Sequence, residues 1–259
     1  MSLVIGKTGD PVHIPKRRDV FEWDKEVASV FDNMAQRSIP MYAETHRVHA
    51  SLVRKYAESY YRNRNTMDRP LVVADIGAST GAFIKMLCHV YDCDYRSGIP
   101  NVDIVAFDSS LDMLDDIGKT LPWVHRIKHD VTLGFQDIDI DFDVVNLSYV
   151  LQFLPEAARP NILKSIAKRM RTGGIIFLSH KEKVTVDCLN LMFHQEYVGF
   201  RRDNGYSDEE IDAKTKALQN SMWINSFDYT RDMLIDAGLY YVQPTTRWLN
   251  FSSMVAFKR

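Results

Sequence analysis

Apolar positions in this chain fall into two patterns that take turns. Mostly apolar runs at Val72 to Ile76, Val102 to Phe107, Phe142 to Leu154 and Gly174 to His180 have the length and density of strands buried on both faces. Between them, A-F-I-K-M-L, L-D-M-L-D-D-I-G-K and P-N-I-L-K-S-I-A-K-R-M carry apolar residues three and four apart, as helices with one buried face do. The last of these should begin at Pro160 and bury Ile162, Leu163, Ile166, Ala167 and Met170, with Gly173-Gly174 as its stop. Ser109 or Ser110 can cap the helix before it. A shorter strand is expected at V-H-R-I-K-H-D, and the final runs around Y-Y-V and S-S-M-V-A-F-K read as a terminal hairpin. Strand and helix in alternation predict a mostly parallel, seven-stranded α/β sheet with helices on both faces.

The first strand runs into Asp75-x-Gly77-x-Ser79-x-Gly81. Glycines there permit a tight turn and close approach of backbone to ligand, at a helix N-terminus. An acidic residue ahead of the first glycine repels phosphate and attracts an ammonium, which points to S-adenosylmethionine rather than a dinucleotide. Asp108, ending the second strand, is placed to bind the two ribose hydroxyls. Asp130 ends the third and can accept from an adenine amino group, and Asn146, where the fourth leaves the sheet, points into the switch-point crevice. This is the Rossmann-like layout of class I methyltransferases.

Composition adds few constraints. With 259 residues and 46% hydrophobic content, one domain suffices, and a formal net charge of -2 gives no overall attraction to nucleic acid or an anionic membrane. The N-terminal M-S-L-V-I-G-K-T-G-D-P offers no signal peptide or membrane span, and Cys88, Cys93 and Cys188 lack disulfide or zinc spacing, so a cytoplasmic protein with reduced thiols is expected. No metal is expected either: His46 and His49 read as surface histidines without a third ligand. The basic groups Lys16-Arg17-Arg18, Lys168-Arg169-Met170-Arg171 and Arg201-Arg202 are candidates for tRNA or DNA phosphates, a contact the net charge does not support.

Two segments lie outside the sheet. Trp23 to Tyr42 is a helical pattern broken at Pro40 and should form a flap over the nucleoside. H-Q-E-Y-V-G-F-R-R-D-N-G-Y-S-D-E-E-I predicts a helical lid, with a turn at Asn204-Gly205, a capping box of Ser207 and Glu210, and Tyr206 within hydrogen-bonding reach of substrate. The single domain thus divides into tail and flap (1–68), nucleoside-binding core (70–183), lid helices (184–232) and terminal hairpin (233–259).

The motifs F-D-N-M-A-Q-R-S-I-P-M-Y, D-I-G-A-S-T-G, L-Q-F-L, F-R-R-D-N-G-Y-S-D-E-E-I and F-S-S-M-V-A-F-K resemble the carboxy-S-adenosylmethionine synthase family. Its members have the methyltransferase fold and serve the pathway to carboxymethoxy-uridine at the tRNA wobble position. The resemblance runs from about Trp23 to the C-terminus. It implies cofactor contacts at Tyr42, Gly77, Ala78, Ser79, Asp108 with Ser109, Asp130 with Val131, and Asn146, and it implies a homodimer. In that family an arginine on the lid helix pairs with the extra carboxylate of the cofactor, whereas this chain has Thr215 there, flanked by Lys214 and Lys216. A threonine hydroxyl replaces neither the charge nor the fork of a guanidinium.

Three functions fit. One is transfer of the ordinary methyl of S-adenosylmethionine to a small molecule or nucleic acid. The second is synthesis of carboxy-S-adenosylmethionine from S-adenosylmethionine and prephenate, and the third is cofactor binding without catalysis. The missing arginine places plain methyl transfer first. Tyr206, Lys214, Thr215 and Lys216 are the substrate candidates, and no catalytic residue is assigned.

Overall fold

The computed structural model describes residues 4–5, 11–12, 25–63, 69–219 and 221–259. Trp23 and Lys16-Arg17-Arg18 lie outside the described residues. Strands β1 (Val4–Ile5) and β2 (Pro11–Val12) form a small antiparallel pair. The apolar runs become β3 (Leu71–Ile76), β4 (Val102–Asp108), β5 (His125–Lys128), β6 (Phe142–Ser148) and β7 (Met170–Lys181), followed by β8 (Leu239–Trp248) and β9 (Phe251–Lys258). They form one seven-stranded sheet in the order β5-β4-β3-β6-β7-β9-β8, parallel except at β9, which pairs antiparallel with both neighbours.

Side chains alternate across the strands, so each strand feeds two cores. In β3, Leu71 and Val73 join the core formed with α2 (Tyr42–Asn63), α3 (Ala82–Tyr91) and α4 (Leu111–Thr120). Ala74 and Ile76 join the opposite core, formed with α5 (Arg159–Arg169) and α8 (Phe227–Asp236). Around this sandwich lie α1 (Lys25–Ser38), α6 (Asp187–Asp203) and α7 (Asp208–Gln219). The capping box is present: Glu210 N donates to Ser207 Oγ, and Glu210 Oε2 accepts from Ser207 N at 2.7 Å. Ser110 caps α4, accepting from Met113 N.

Gly173-Gly174 do not stop α5, which ends at Arg169 and turns directly into β7. The glycines sit inside that strand, where its register against β6 shifts between Phe142 and Val144. Gly173 has φ +82°, and a Cβ on Gly174 would stand 2.9 Å from the carbonyl oxygens of Arg171 and Asp143, so backbone crowding explains the pair. In the adjoining basic cluster Lys168 is exposed, whereas the two arginines are engaged within the fold. Arg169 donates to the Phe135 and Gln136 carbonyls, while Arg171 and Arg69 both hold Asp143, a carboxylate 1% exposed that also accepts from Val72 N.

Candidate functional site

The carboxyl ends of β3, β4 and β6 open into a cavity of about 520 Å³ that α1, α6 and α7 cover. Its floor is the loop after β3. Gly77 (φ +70°) and Ser79 (φ +50°) are both left-handed there, and the Gly77 and Ala78 amides donate to the Phe107 carbonyl at 2.7 and 3.0 Å, pinning the loop to β4. A Cβ on Gly77 would lie 2.3 Å from Val150 Cγ2, so no other residue fits.

Carboxylates line that floor. Asp108 accepts from Ser79 N and Ser110 N, each at 2.9 Å; burial raises its pKa and these amide bonds partly offset the rise. Asp75 accepts from Asn146 Nδ2 at 2.8 Å, and its other oxygen is buried without a partner. Burial pushes the Asp75 carboxyl up to about 7, against the pull of the Asn146 bond. That orphaned oxygen is what an ammonium would satisfy. Asp130 is exposed, with Oδ1 accepting from Thr132 N and Oγ1 at 2.9 and 2.7 Å. Asn146 lies within β6, two residues before its end, rather than where the strand leaves the sheet.

The opposite wall comes from the helices. Tyr42 packs edge-on to His46, with ring centroids 4.5 Å apart, and both line the cavity. Neither His46 nor His49 is a surface residue: they are 4% and 0% exposed, because α2 turns this face onto the sheet. Burial lowers His46 to about 4, and neither of its ring nitrogens has a partner. His49 stacks on Phe177 and faces Asn146 Oδ1 at 3.4 Å. From the end of β7 Lys181 reaches the cavity, and from the lid Tyr197, Arg201, Lys214 and Thr215 do.

The cavity thus gathers Tyr42, Asp75, Gly77, Ala78, Ser79, Asp108, Ser109, Asp130, Val131 and Asn146, with Lys214 and Thr215. Gly81 does not line it; it begins α3 with φ +82° and packs toward Ile117. Tyr206 lies behind the wall, 1% exposed, bonded to Ser38 Oγ at 2.9 Å, and Lys216 faces solvent. Arg201 is the residue sequence reasoning placed wrongly. As half of a basic pair it suggested phosphate contact, yet it is 3% exposed and turned into the cavity, whereas Arg202 is exposed and paired with Asp208. Lys181, His46 and Tyr149 were also missed, and Tyr149, left-handed at φ +61°, had no local marker.

No protein-family model matches the sequence. It is 33% identical over 244 residues to the carboxy-S-adenosyl-L-methionine synthase of Trichodesmium erythraeum, covering 92% of this chain and 88% of that one. The chain belongs to the carboxy-S-adenosyl-L-methionine synthase family. The synthase of Citrifermentans bemidjiense is 32% identical and is matched over 97% of this chain and 99% of its own length. Among solved structures, a candidate O-methyltransferase from Nostoc punctiforme superimposes with TM-score 0.56 at 19% identity, over 91% of this chain. This chain spans 60% of that protein's length, and the likeness shows the shared Rossmann-like methyltransferase fold. This family member is accordingly an S-adenosylmethionine-dependent transferase.

Proposed function

We propose that the protein makes carboxy-S-adenosylmethionine as a homodimer in the cytoplasm: prephenate loses its ring carboxyl as CO2 and its hydroxyl as hydroxide to leave the aromatic keto acid phenylpyruvate, the cofactor methyl gives up a proton that leaves with the hydroxide as water, and the methyl carbon takes up the CO2. One observation carries this reading. The cavity sets an acidic floor, Asp75, Asp108 and Asp130, against a cationic lid wall, Lys181, Arg201 and Lys214.

The floor suits the nucleoside end. Asp108 would take the ribose hydroxyls, with Ser79 and Ser109 beside it; Asp130 and Val131 would meet the adenine; Gly77 and Ala78 would back the amino-acid portion. Asp75, steadied by Asn146, would hold the ammonium on its unpartnered oxygen. S-adenosylmethionine supplies a sulfonium, which makes the adjoining methyl both transferable and acidic. The lid wall then attracts an acid cosubstrate and stabilises a carboxylated product, which plain methyl transfer does not require. In this reading Tyr42 and the described flap residues, 25–63, would close over the core (70–183), with the lid (184–232) opposite and the hairpin (233–259) completing the sheet. Methyl transfer remains the second reading, favoured by Thr215, which is exposed and uncharged where it lines the cavity.

The homodimer is supported by α6, whose first half exposes Leu189, Leu191 and Met192 at 41%, 57% and 59%. The cytoplasmic reading is supported by three free cysteines. No helix among the described residues is long and apolar enough to cross a membrane. A tRNA would be reached through the product, since the Arg169, Arg171 and Arg201 side chains are engaged inside the fold.

The decisive experiment incubates purified protein with S-adenosylmethionine and prephenate and follows the nucleosides by mass spectrometry. Carboxylated cofactor, absent when prephenate is omitted, is expected. Methylated acceptors with no carboxylated product would replace this reading by the second.

A further inference from the structure

Three cations converge on the lid side of the cavity from three elements: Lys181 at the end of β7, Arg201 on α6 and Lys214 on α7. Every partner they have is neutral. The Arg201 guanidinium lies 4.3 Å over the Tyr197 ring, Nη1 donates to Thr215 Oγ1 at 3.4 Å, and Nε is buried with no partner. Lys181 Nζ sits 4.5 Å from the centre of the same ring. Lys214 Nζ donates to Ser38 Oγ at 2.7 Å and to Tyr206 Oη at 3.4 Å. Among the described residues none of the three forms an ion pair with a carboxylate. Glu210, on the same helix as Lys214, is held by the Ser207 amide.

Such a cluster is unfavourable, because a buried charge without a counter-charge loses its hydration and gains no pairing in return. Its mutual repulsion is visible: burial first and the Arg201 charge second lower Lys214 to about 7 and Lys181 to about 8. A ligand that satisfies both walls of the cavity presents cation and hydroxyls to the sheet and negative charge to the lid. The α-carboxylate of the cofactor brings one negative charge to Arg201 and two lysines whose protonated forms a bound anion favours, which leaves room for another.

We propose that Arg201, flanked by Lys181 and Lys214, is the specificity-determining residue of an anion subsite that receives a carboxylate borne on the cofactor's methyl carbon. This rests on the carboxyl-transfer reading above. A guanidinium presents Nε–H and Nη–H in one plane, a fork that fits both oxygens of a carboxylate. In Arg201 the Nε–H is free, and the Nη1 bond to Thr215 is long enough to give way readily. Because those two residues meet, an arginine at 215 would put its fork into the same volume from α7.

Dissociation constants are measured by calorimetry for three ligands: S-adenosylmethionine, its decarboxylated analogue lacking the α-carboxylate, and the carboxymethyl sulfonium made by alkylating S-adenosylhomocysteine. The wild-type protein should bind the carboxymethyl sulfonium most tightly. Arg201→Met should weaken that ligand by roughly thirtyfold or more while changing S-adenosylmethionine less than about threefold, on the scale of a lost charge-assisted bond. Arg201→Ala combined with Thr215→Arg should restore most of the preference, which a merely structural role for Arg201 would not allow. Retained S-adenosylmethionine binding reports that each variant is folded, and Arg201→Lys serves as the milder change.

Equal loss of S-adenosylmethionine and the carboxymethyl sulfonium, with the decarboxylated analogue unaffected, would assign the cations to the α-carboxylate and overturn the proposal. So would a wild-type protein with no preference for the carboxymethyl sulfonium. A protein that binds it tightly but forms none from prephenate would leave the subsite standing and remove only the proposed reaction.

Discussion

At the scale of single residues the site is defined by charges placed where water does not reach. Asp75 is the sharpest case, since burial holds its carboxyl up at about 7 while one oxygen lacks a partner. A ligand ammonium favours the ionised form. Because the folded pKa stands above the ordinary carboxylate value, the empty site is half protonated near pH 7, and binding there must release the proton. Cofactor affinity should therefore fall as pH drops below about 7, by up to about tenfold per pH unit. Calorimetry from pH 5.5 to 8 checks this, and Asp75→Asn should bind weakly and without that acid limb. Asp75 was legible because it precedes Gly77 in a short motif. Arg201 was not, because no spacing in the sequence tells a buried arginine from a solvated one.

At the scale of elements the pocket depends on how the β3 loop meets its neighbours. The loop's amides are bonded to Phe107, and Gly77 is pressed on Val150 from the end of β6. Gly77→Ala requires a left-handed alanine and a Cβ 2.3 Å from Val150 Cγ2, so a loss of about 2 kcal/mol or more in urea unfolding is expected, together with weaker cofactor binding. Unchanged stability would mean that the loop relaxes freely. The strands and their order followed from apolar runs and crossover logic, and the lid's turn and capping box from short local patterns. The stop at Gly173-Gly174 did not. Glycine marks unusual backbone, but whether that backbone ends a helix or forms a bulge depends on the strand it meets, here Asp143 of β6.

At the scale of the whole molecule, α6 has two roles on two faces. One supplies Tyr197 and Arg201 to the cavity, and the other exposes Leu189, Leu191 and Met192. Burying that second face against a second copy would also steady the helix that carries Arg201. Sedimentation velocity should show a two-chain species, and Met192→Asp should weaken it by roughly tenfold through the cost of burying a charge. A monomer at all concentrations would remove the dimer.

Periodicity and short local motifs were enough to place the sheet, the loop after β3 and the carboxylates at the strand ends, because each of these rests on residues close together in the chain. The sequence also raised the question posed by Thr215, an uncharged residue where the resemblance to the synthase family implies an arginine. Which other charges share that space follows from the packing of the helices on the sheet. Arg201 lies fourteen residues away along the chain and on another helix, yet its guanidinium meets the Thr215 hydroxyl. Lys181 arrives from a strand end to share the ring of Tyr197. Such convergence is set by how the lid packs on the sheet, and one-dimensional spacing does not encode it.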